Sequence, residues 1–122
     1  ICHKTRIRAN EVADMKVIGD VEGKNIIVVD DMIDTAGTIC KAADMLIDNG
    51  AASVRAVATH AVLSGKAYEN IEKSKLTEVI FTDSIPQKQP CSKIKVLPIA
   101  PMFADTIRNI YEHKSISDHF LM

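Results

Sequence analysis

The sequence predicts an α/β fold with a mostly parallel sheet, right-handed crossovers and helices on both faces. Two features predict it: β-branched runs alternate with stretches whose apolar residues recur at helical spacing, and the connections between them are short. Hydrophobic residues make up 47% of the 122-residue chain and charged residues 25%, which is typical of a soluble globular core. Because we find no internal repeat or convincing linker, we expect one domain.

The N-terminal third is expected to hold a basic loop followed by two strands. Residues 4–10 are polar and strongly basic, which suits a mobile loop, and residues 15–18 form a short apolar run that is a strand candidate. Residues 25–30 read Asn-Ile-Ile-Val-Val-Asp and follow a turn signal at residues 22–24. This β-branched run predicts a central parallel strand that is buried on both faces.

Helices and strands then alternate to the end of the chain. Apolar residues at helical spacing predict helices over residues 36–49 and 65–74, and short apolar runs predict strands over residues 54–59, 79–82 and 94–97. A last helix is expected to begin near a proline, which suits a first helical turn. Its start and its inward-facing side chains are expected at Pro101, Phe103, Ile107, Ile110 and Tyr111.

Composition argues against several classes of partner and location. The formal net charge is −1 at pH 7, and no basic stripe with interleaved aromatic residues is visible, so nucleic acid is a poor candidate partner. The longest apolar runs are too short to cross a bilayer, and the N-terminus lacks the order of a signal peptide. We therefore expect a cytoplasmic protein without membrane contact. Since the chain begins with Ile1 and not with Met, we also expect a fragment.

The cysteines and histidines form no recognisable metal or redox motif. Cys2, Cys40 and Cys91 lie far apart without a C-x-x-C pattern, so we expect reduced thiols. The four histidines have no metal-ligand spacing, and we expect no metal site built by this chain.

Two carboxylates follow the strongest strand candidate, where ligands collect in an open parallel sheet. Asp30 and Asp31 can accept hydrogen bonds from vicinal hydroxyl groups, and they can also attract a hydrated divalent cation. This pair suits a sugar or a metal-bound phosphate. The alternative is that both are ordinary polar residues at the end of a strand.

The next residues combine small side chains with hydroxyl groups at the start of a predicted helix. They are Asp34, Thr35, Ala36, Gly37 and Thr38. Unpaired N–H groups and the positive end of the helix dipole favour a phosphate there, and glycine lets the backbone approach the anion closely. The alternative is that Asp34 or Thr35 merely caps the helix.

The whole string at residues 28–38, Val-Val-Asp-Asp-Met-Ile-Asp-Thr-Ala-Gly-Thr, resembles the phosphoribosyl pyrophosphate-binding signature of the type I phosphoribosyltransferase fold. Its form is the one typical of ribose-phosphate pyrophosphokinases. Further matches cover nearly all of the chain: Lys4-Thr5-Arg6, Ala58-Thr59-His60, Ser64-Gly65, Thr82-Asp83-Ser84-Ile85-Pro86 and Ser115-Ile116-Ser117. The resemblance implies that residues 1–122 are an incomplete C-terminal, phosphoribosyltransferase-like domain, with the N-terminal domain absent.

The resemblance also implies a reaction and a division of roles. These enzymes transfer the diphosphate of ATP to the C1 hydroxyl of ribose 5-phosphate, which gives phosphoribosyl pyrophosphate and AMP. Residues 34–38 would hold the 5-phosphate, and Asp30 and Asp31 the ribose hydroxyls. Lys4 and Arg6 match a Lys-x-Arg pair on a flexible loop that closes over the reacting phosphates. Mg²⁺ is the implied cofactor, with ligands expected mainly outside this chain, so the chain alone is expected to be nearly inactive.

Three further points concern regulation and residues without a role. The family commonly has an allosteric site for ADP or phosphate, to which a segment matching Ser115, Ile116 and Ser117 contributes, although a disordered polar tail explains these residues as well. The resemblance implies a homo-oligomer. Arg8 and His60 receive no role, because a structural histidine is as good an explanation of His60 as a binding one.

Three other functions compete with this interpretation. A phosphoribosyltransferase uses the same sugar-phosphate site to consume the product, but the segments at residues 82–86 and 115–117 resemble pyrophosphokinases. A non-catalytic regulatory homologue has no chemical need for Lys4 and Arg6. An RNA-binding regulator lacks the basic surface that it would need.

Overall fold

The computed structural model describes the backbone of residues 2–8 and 11–117 and the side chains of residues 17–117. A hairpin comes first and an alternating β/α run follows it. The elements are β1 (Cys2–Arg8), β2 (Glu11–Val17), β3 (Asn25–Ile33), α1 (Gly37–Asp48), β4 (Ser53–Ala61), α2 (Ala67–Lys73), β5 (Glu78–Thr82), β6 (Ile94–Leu97) and α3 (Ala100–Tyr111).

Four of the strands form a parallel sheet in the order β3-β4-β5-β6. Each strand follows its neighbour in the chain, and α1 and α2 make the first two crossovers. The predicted α/β class with a mostly parallel sheet is therefore confirmed. The predicted helices and strands from residue 25 onward are all present, with ends that differ by a few residues.

The core lies between this sheet and the helices α1 and α2. Alternate residues of β4 and β5 point into it, and Val54, Ala56, Val79 and Phe81 are each at most 1% exposed. Helix α1 contacts both β4 and α2, so the two helices cover the same face of the sheet. Alanine at several inward positions of β4 leaves room for the helices to approach the sheet closely.

Strand β3 corrects one expectation. It was expected to be a central strand buried on both faces, but among the described strands it pairs only with β4 and lies at the edge of the sheet. The face that turns away from α1 and α2 is open, with Ile27 63% exposed and Val29 75% exposed. The apolar run predicts a strand, but it does not indicate which helices or strands cover the two faces of that strand.

The N-terminal hairpin corrects a second expectation. Residues 4–10 were expected to form a mobile loop, of which residues 9 and 10 lie outside the described residues. Residues 4–8 belong instead to β1, which pairs with β2 in antiparallel register, with Lys4 opposite Met15 and Arg6 opposite Val12. A register shift between Thr5 and Arg6 marks an irregularity in the ladder. Backbone pairing with a second segment turns this polar stretch into a strand, and the pattern of one segment does not reveal that partner.

Helix α3 corrects a third expectation. The helix exists and Pro101 lies in its first turn, as predicted. The four side chains expected to face the core are instead exposed: Phe103 54%, Ile107 66%, Ile110 60% and Tyr111 85%. Helical spacing identifies an apolar face, but not what covers it. The longest described helices, α1 and α3, have 12 residues each, and no described helix has the length and apolarity to span a bilayer.

Candidate functional site

The carboxyl ends of the parallel strands meet at one edge of the sheet, where strand-end residues can act together. Asp30 is registered with Ala58 on β4, and Met32 is registered with His60. The end of β4 therefore lies beside Asp30 and Asp31. The structure brings the two predicted carboxylates together with His60, to which the sequence assigned no role.

Local hydrogen bonds orient the exposed carboxyl groups of Asp30 and Asp31. Asp31 N–H donates to Asp30 Oδ1 at 2.8 Å, and Met32 N–H donates to Asp31 Oδ1 at 2.8 Å. The neighbouring Asp30 side chain is the largest reason why the pKa of Asp31 lies below its ordinary value, ahead of the Met32 N–H. Each carboxylate keeps further acceptor positions, so the pair can accept hydrogen bonds from two neighbouring hydroxyl groups.

The β3–α1 loop, residues 34–36, is held from one side by the chain that follows β4. Three consecutive carbonyl groups accept hydrogen bonds from that segment. The bonds run from Leu63 N–H to Ile33 O at 3.1 Å, from Ser64 N–H to Asp34 O at 3.0 Å, and from Asn70 Nδ2 to Thr35 O at 2.9 Å. The orientation of each of these peptide planes is thereby fixed.

The N–H groups of the same peptides point the other way, because C=O and N–H are antiparallel across a planar trans peptide. These are the N–H groups of Asp34, Thr35 and Ala36. Within the described part of the chain, none of the three donates a hydrogen bond. Three successive unpaired donors that face away from the β4–α2 segment are suited to binding an anion.

Helix α1 begins directly after these donors and is not capped by any side chain. Its N-cap is Ala36, in the left-handed conformation at φ 65°, and its first turn contains no acidic residue. The alternative that Asp34 or Thr35 merely caps the helix is therefore wrong. The first N–H groups of α1 and the positive end of its dipole add to the donors of the loop.

The side chains around the loop leave the donors accessible. Thr35 and Gly37 are exposed and Thr38 is half-buried. The carboxylate of Asp34 accepts a hydrogen bond from Ser64 Oγ. One oxygen of this negatively charged side chain is therefore bonded to the segment that follows β4. The five predicted residues at 34–38 thus combine unpaired N–H groups with two hydroxyl groups.

His60 lies at the same edge and is oriented by Ser84. Its Nδ1 lies 2.8 Å from Ser84 Oγ, and Ser84 Oγ also donates to Thr59 O at 3.2 Å. One arrangement satisfies both contacts: the Nδ1–H of His60 donates to Ser84, and Nε2 stays available. His60 is the smallest contributor to the lowered pKa of Asp31. The sequence signals for this residue were its position after a predicted strand and its place in the matching segment Ala58-Thr59-His60.

The structure describes the backbone but not the side chains of Lys4 and Arg6. Both lie in β1, and the partner strand β2 contacts α1, the helix that starts at the β3–α1 loop. The basic hairpin is thus connected to the same helix as the candidate site. That Lys4 and Arg6 act on a bound substrate stays a prediction.

The Ser115 to Ser117 segment forms a local turn after α3. Ser115 Oγ donates to Ser117 Oγ at 2.8 Å, and Ser117 N–H donates to Ser115 Oγ at 3.1 Å. Both serines are exposed and Ile116 is half-buried. An allosteric role for the three residues stays a prediction.

The residues between 17 and 117 include no group of three His, Cys, Asp or Glu side chains placed to hold a metal ion. Asp30 and Asp31 are hard oxygen donors of the kind that Mg²⁺ prefers, but two carboxylates fit a hydrated ion better than a complete coordination shell.

Comparison with known proteins assigns the chain to a family. The family model described as phosphoribosyl synthetase-associated domain matches residues 4–121. The chain is 52% identical to the ribose-phosphate pyrophosphokinase of Porphyromonas gingivalis over 117 residues, 96% of this chain and 37% of that protein. It is 56% identical to the enzyme of the same name from Helicobacter hepaticus over 120 residues, 98% of this chain and 39% of that protein.

A solved structure shows the same fold. The crystal structure of phosphoribosylpyrophosphate synthetase from Mycobacterium smegmatis matches with a TM-score of 0.78 and 41% sequence identity, over 84% of this chain and 35% of that chain. The chain thus spans less than two fifths of the length of these relatives. On the family match over residues 4–121 and these identities, the chain belongs to the phosphoribosyl synthetase-associated domain family, which it shares with the ribose-phosphate pyrophosphokinases.

Proposed function

We propose that the protein carrying this chain transfers the diphosphate of ATP to the C1 hydroxyl of ribose 5-phosphate, which yields phosphoribosyl pyrophosphate and AMP. One observation carries the proposal: two exposed carboxylates are followed by three unpaired N–H groups at an uncapped helix N-terminus. This order matches a sugar phosphate, which offers vicinal hydroxyls at one end and a dianion at the other. The reaction itself is inferred from the names of the relatives.

Each part of ribose 5-phosphate has a counterpart in the site. The N–H groups of the β3–α1 loop and of the first turn of α1 hold the 5-phosphate, with the hydroxyls of Thr35 and Thr38. Asp30 and Asp31 accept hydrogen bonds from the 2- and 3-hydroxyls. The C1 hydroxyl is on the side of the sugar remote from the phosphate, where a second substrate can reach it.

Binding in this way aligns the sugar for the transfer, and alignment is most of what this reaction requires from the protein. The C1 oxygen attacks the β-phosphorus of ATP, the bond from that phosphorus to the oxygen bridging to the α-phosphorus breaks, and AMP leaves with the bridging oxygen. Transfer of this kind depends on alignment and on positive charge around the phosphates, and little on covalent help from the protein. Lys4 and Arg6 supply that charge.

Magnesium is the cofactor that this chemistry implies. Bound to the phosphates of ATP, it would neutralise their charge, and Asp30 and Asp31 would hold its hydration shell from the sugar side. The resemblance further implies a homo-oligomer and an effector site for ADP or phosphate at Ser115, Ile116 and Ser117.

Product analysis tests the proposed reaction. The full-length protein that carries this chain is incubated with ribose 5-phosphate and Mg-ATP, and AMP and phosphoribosyl pyrophosphate are quantified together. We expect equal amounts of both, formed only when ribose 5-phosphate is present. A phosphoribosyltransferase gives no AMP, and a regulatory homologue gives neither product, so either outcome contradicts the proposal.

Replacing Gly37 with alanine tests the phosphate position without disturbing the fold. A Cβ at this residue would meet only Thr35 Oγ1, at 3.8 Å, which is an ordinary contact, and φ is not positive. We expect unfolding of the variant to be unchanged or slightly less favourable, since alanine favours a helix over glycine. The KM for ribose 5-phosphate should rise about tenfold or more, because the added Cβ would keep the phosphate from approaching the N–H groups closely, and a hydrogen bond lost to a charged group costs about 1.5–3 kcal/mol.

The urea unfolding curve is the control for this variant. Gly37 has no matched glycine in the described chain, because Gly19, Gly23, Gly50 and Gly65 all have positive φ. A stable Gly37→Ala protein with the wild-type KM would show that no phosphate lies against this residue.

A further inference from the structure

We propose that Ser64 and Asn70 are positioning residues, which hold the β3–α1 loop in the conformation that presents its N–H groups to the 5-phosphate. The inference rests on the proposed function and adds two residues to its machinery. Neither touches the substrate. The Asn70 amide acts through a peptide plane of the loop and the Ser64 hydroxyl acts through the Asp34 carboxylate, both from a segment about thirty positions further along the chain.

Ser64 holds the first half of the loop through two bonds to one residue. Its N–H donates to Asp34 O at 3.0 Å, and its Oγ donates to Asp34 Oδ1. The first bond fixes the peptide plane between Asp34 and Thr35. The second draws the negative carboxylate towards Ser64.

Asn70 holds the second half of the loop. Its Nδ2 donates to Thr35 O at 2.9 Å and so fixes the peptide plane between Thr35 and Ala36. That plane leads into Ala36 at φ 65°, a left-handed conformation that is unfavourable for a residue with a Cβ. A strained conformation persists only where its surroundings impose it, and the Asn70 amide contributes such a restraint.

The segment that holds the loop, residues 63–70, is itself packed against the core. Leu63 is 3% exposed, and Ala67 and Ile71 of α2 are fully buried. Helix α2 therefore cannot shift without disturbing the core, and its fixed position is passed to the loop through Ser64 and Asn70. The loop is rigid because a packed helix holds it, and not because of its own sequence.

Loss of the Asn70 amide allows the peptide between residues 35 and 36 to turn over, which would point a carbonyl at the anion in place of an N–H. Only the fraction of molecules with the correct plane binds well, so the apparent affinity is multiplied by that fraction. Replacement of Ser64 acts differently, because the backbone N–H of residue 64 still bonds to Asp34 O. Without the hydroxyl, the freed Asp34 carboxylate can bond to nearby loop N–H groups and compete with the phosphate.

Steady-state kinetics of Ser64→Ala and Asn70→Ala test the inference. We expect the KM for ribose 5-phosphate to rise about tenfold or more for Ser64→Ala, which loses a charge-assisted bond, and about three- to tenfold for Asn70→Ala. The KM for ATP and the kcat at saturating ribose 5-phosphate should stay within about twofold of wild type. Ser64→Thr keeps the hydroxyl and should restore a KM near that of wild type.

Two matched variants control for the loss of a hydrogen bond as such. Ser53 Oγ donates to Asn25 Oδ1 at 2.7 Å, a bond between β3 and β4 at the opposite end of the same strands. Asn49 Nδ2 donates to Met45 O at 2.7 Å at the far end of α1. Ser53→Ala and Asn49→Ala should leave the KM for ribose 5-phosphate unchanged.

The outcomes separate this inference from the proposed function. If the wild-type protein forms no AMP from ribose 5-phosphate and ATP, the proposed function fails and takes the inference with it. If the wild type is active but both variants keep its KM, the inference alone is wrong. A fall in kcat with an equal rise in both KM values also contradicts it, because that pattern indicates general damage. Should Ser64→Ala not fold, Asn70→Ala decides the question alone.

Discussion

Replacing Lys4 with alanine is expected to lower kcat about 10²- to 10³-fold, the cost of removing one group that stabilises transition-state charge. The negative charge on the transferred diphosphate is redistributed as the bond to AMP breaks, and a cation aimed at it acts mainly in that state. The KM for ribose 5-phosphate should change little, because in the proposed function the sugar phosphate is bound by a cradle that consists of Asp30, Asp31 and the N–H groups of residues 34–36. Initial rates at saturating concentrations of both substrates measure the effect.

Lys16 provides the control for Lys4. The two lysines lie on opposite strands of the same hairpin, where Lys4 pairs with Met15 and Lys16 pairs with His3. Lys16→Ala removes the same charge from the hairpin, and it should retain nearly full kcat. If Lys4→Ala turns over at the wild-type rate, the catalytic role of Lys4 is wrong and the regulatory homologue becomes the better interpretation.

Replacing Asp30 and Asp31 together with alanine is expected to lower kcat/KM for ribose 5-phosphate by about 100-fold or more. Each carboxylate would lose a hydrogen bond to a ribose hydroxyl, and bonds to charged groups contribute about 1.5–3 kcal/mol each. The fold should tolerate the change, because both side chains are exposed and their bonds within the protein are local. Rates at several ribose 5-phosphate concentrations, together with an unfolding curve, measure both quantities.

Asp20 offers a matched carboxylate outside the site. Its Oδ1 accepts the Glu22 N–H at 3.0 Å, a local bond like the one that Asp31 accepts from Met32. Asp20→Ala should leave kcat/KM unchanged. A comparable loss in both proteins would mean that charge, and not contact with the sugar, explains the result.

The strand, the loop and the helix start that make up the candidate site were predictable, because their signals are local in sequence. A β-branched run gives β3, the change of spacing after it gives α1, and the carboxylates and small residues lie between them in one string. Those residues need no information about distant parts of the chain. The alternation of elements likewise gave the parallel sheet, since parallel strands require crossovers.

The features that depend on distant partners were not predictable. The hairpin needed β2 as a partner for β1, the edge position of β3 depended on which strands lie beside it, and the exposure of α3 depended on what packs against it. Ser64 and Asn70 are 30 and 35 positions away from the residues that they hold. A single sequence does not reveal which distant residues contact each other. The loop was therefore predicted, but the segment that holds it was not.

The most direct test of the cradle compares two substrates in two proteins. The ratio of kcat/KM for ribose 5-phosphate to that for 2-deoxyribose 5-phosphate is measured in the wild type and in the variant that lacks both Asp30 and Asp31 carboxylates. We expect the wild type to prefer strongly the substrate with both hydroxyls, and we expect this preference to disappear largely in the variant. An equal ratio in the two proteins would contradict the assignment of the ribose hydroxyls to the end of β3.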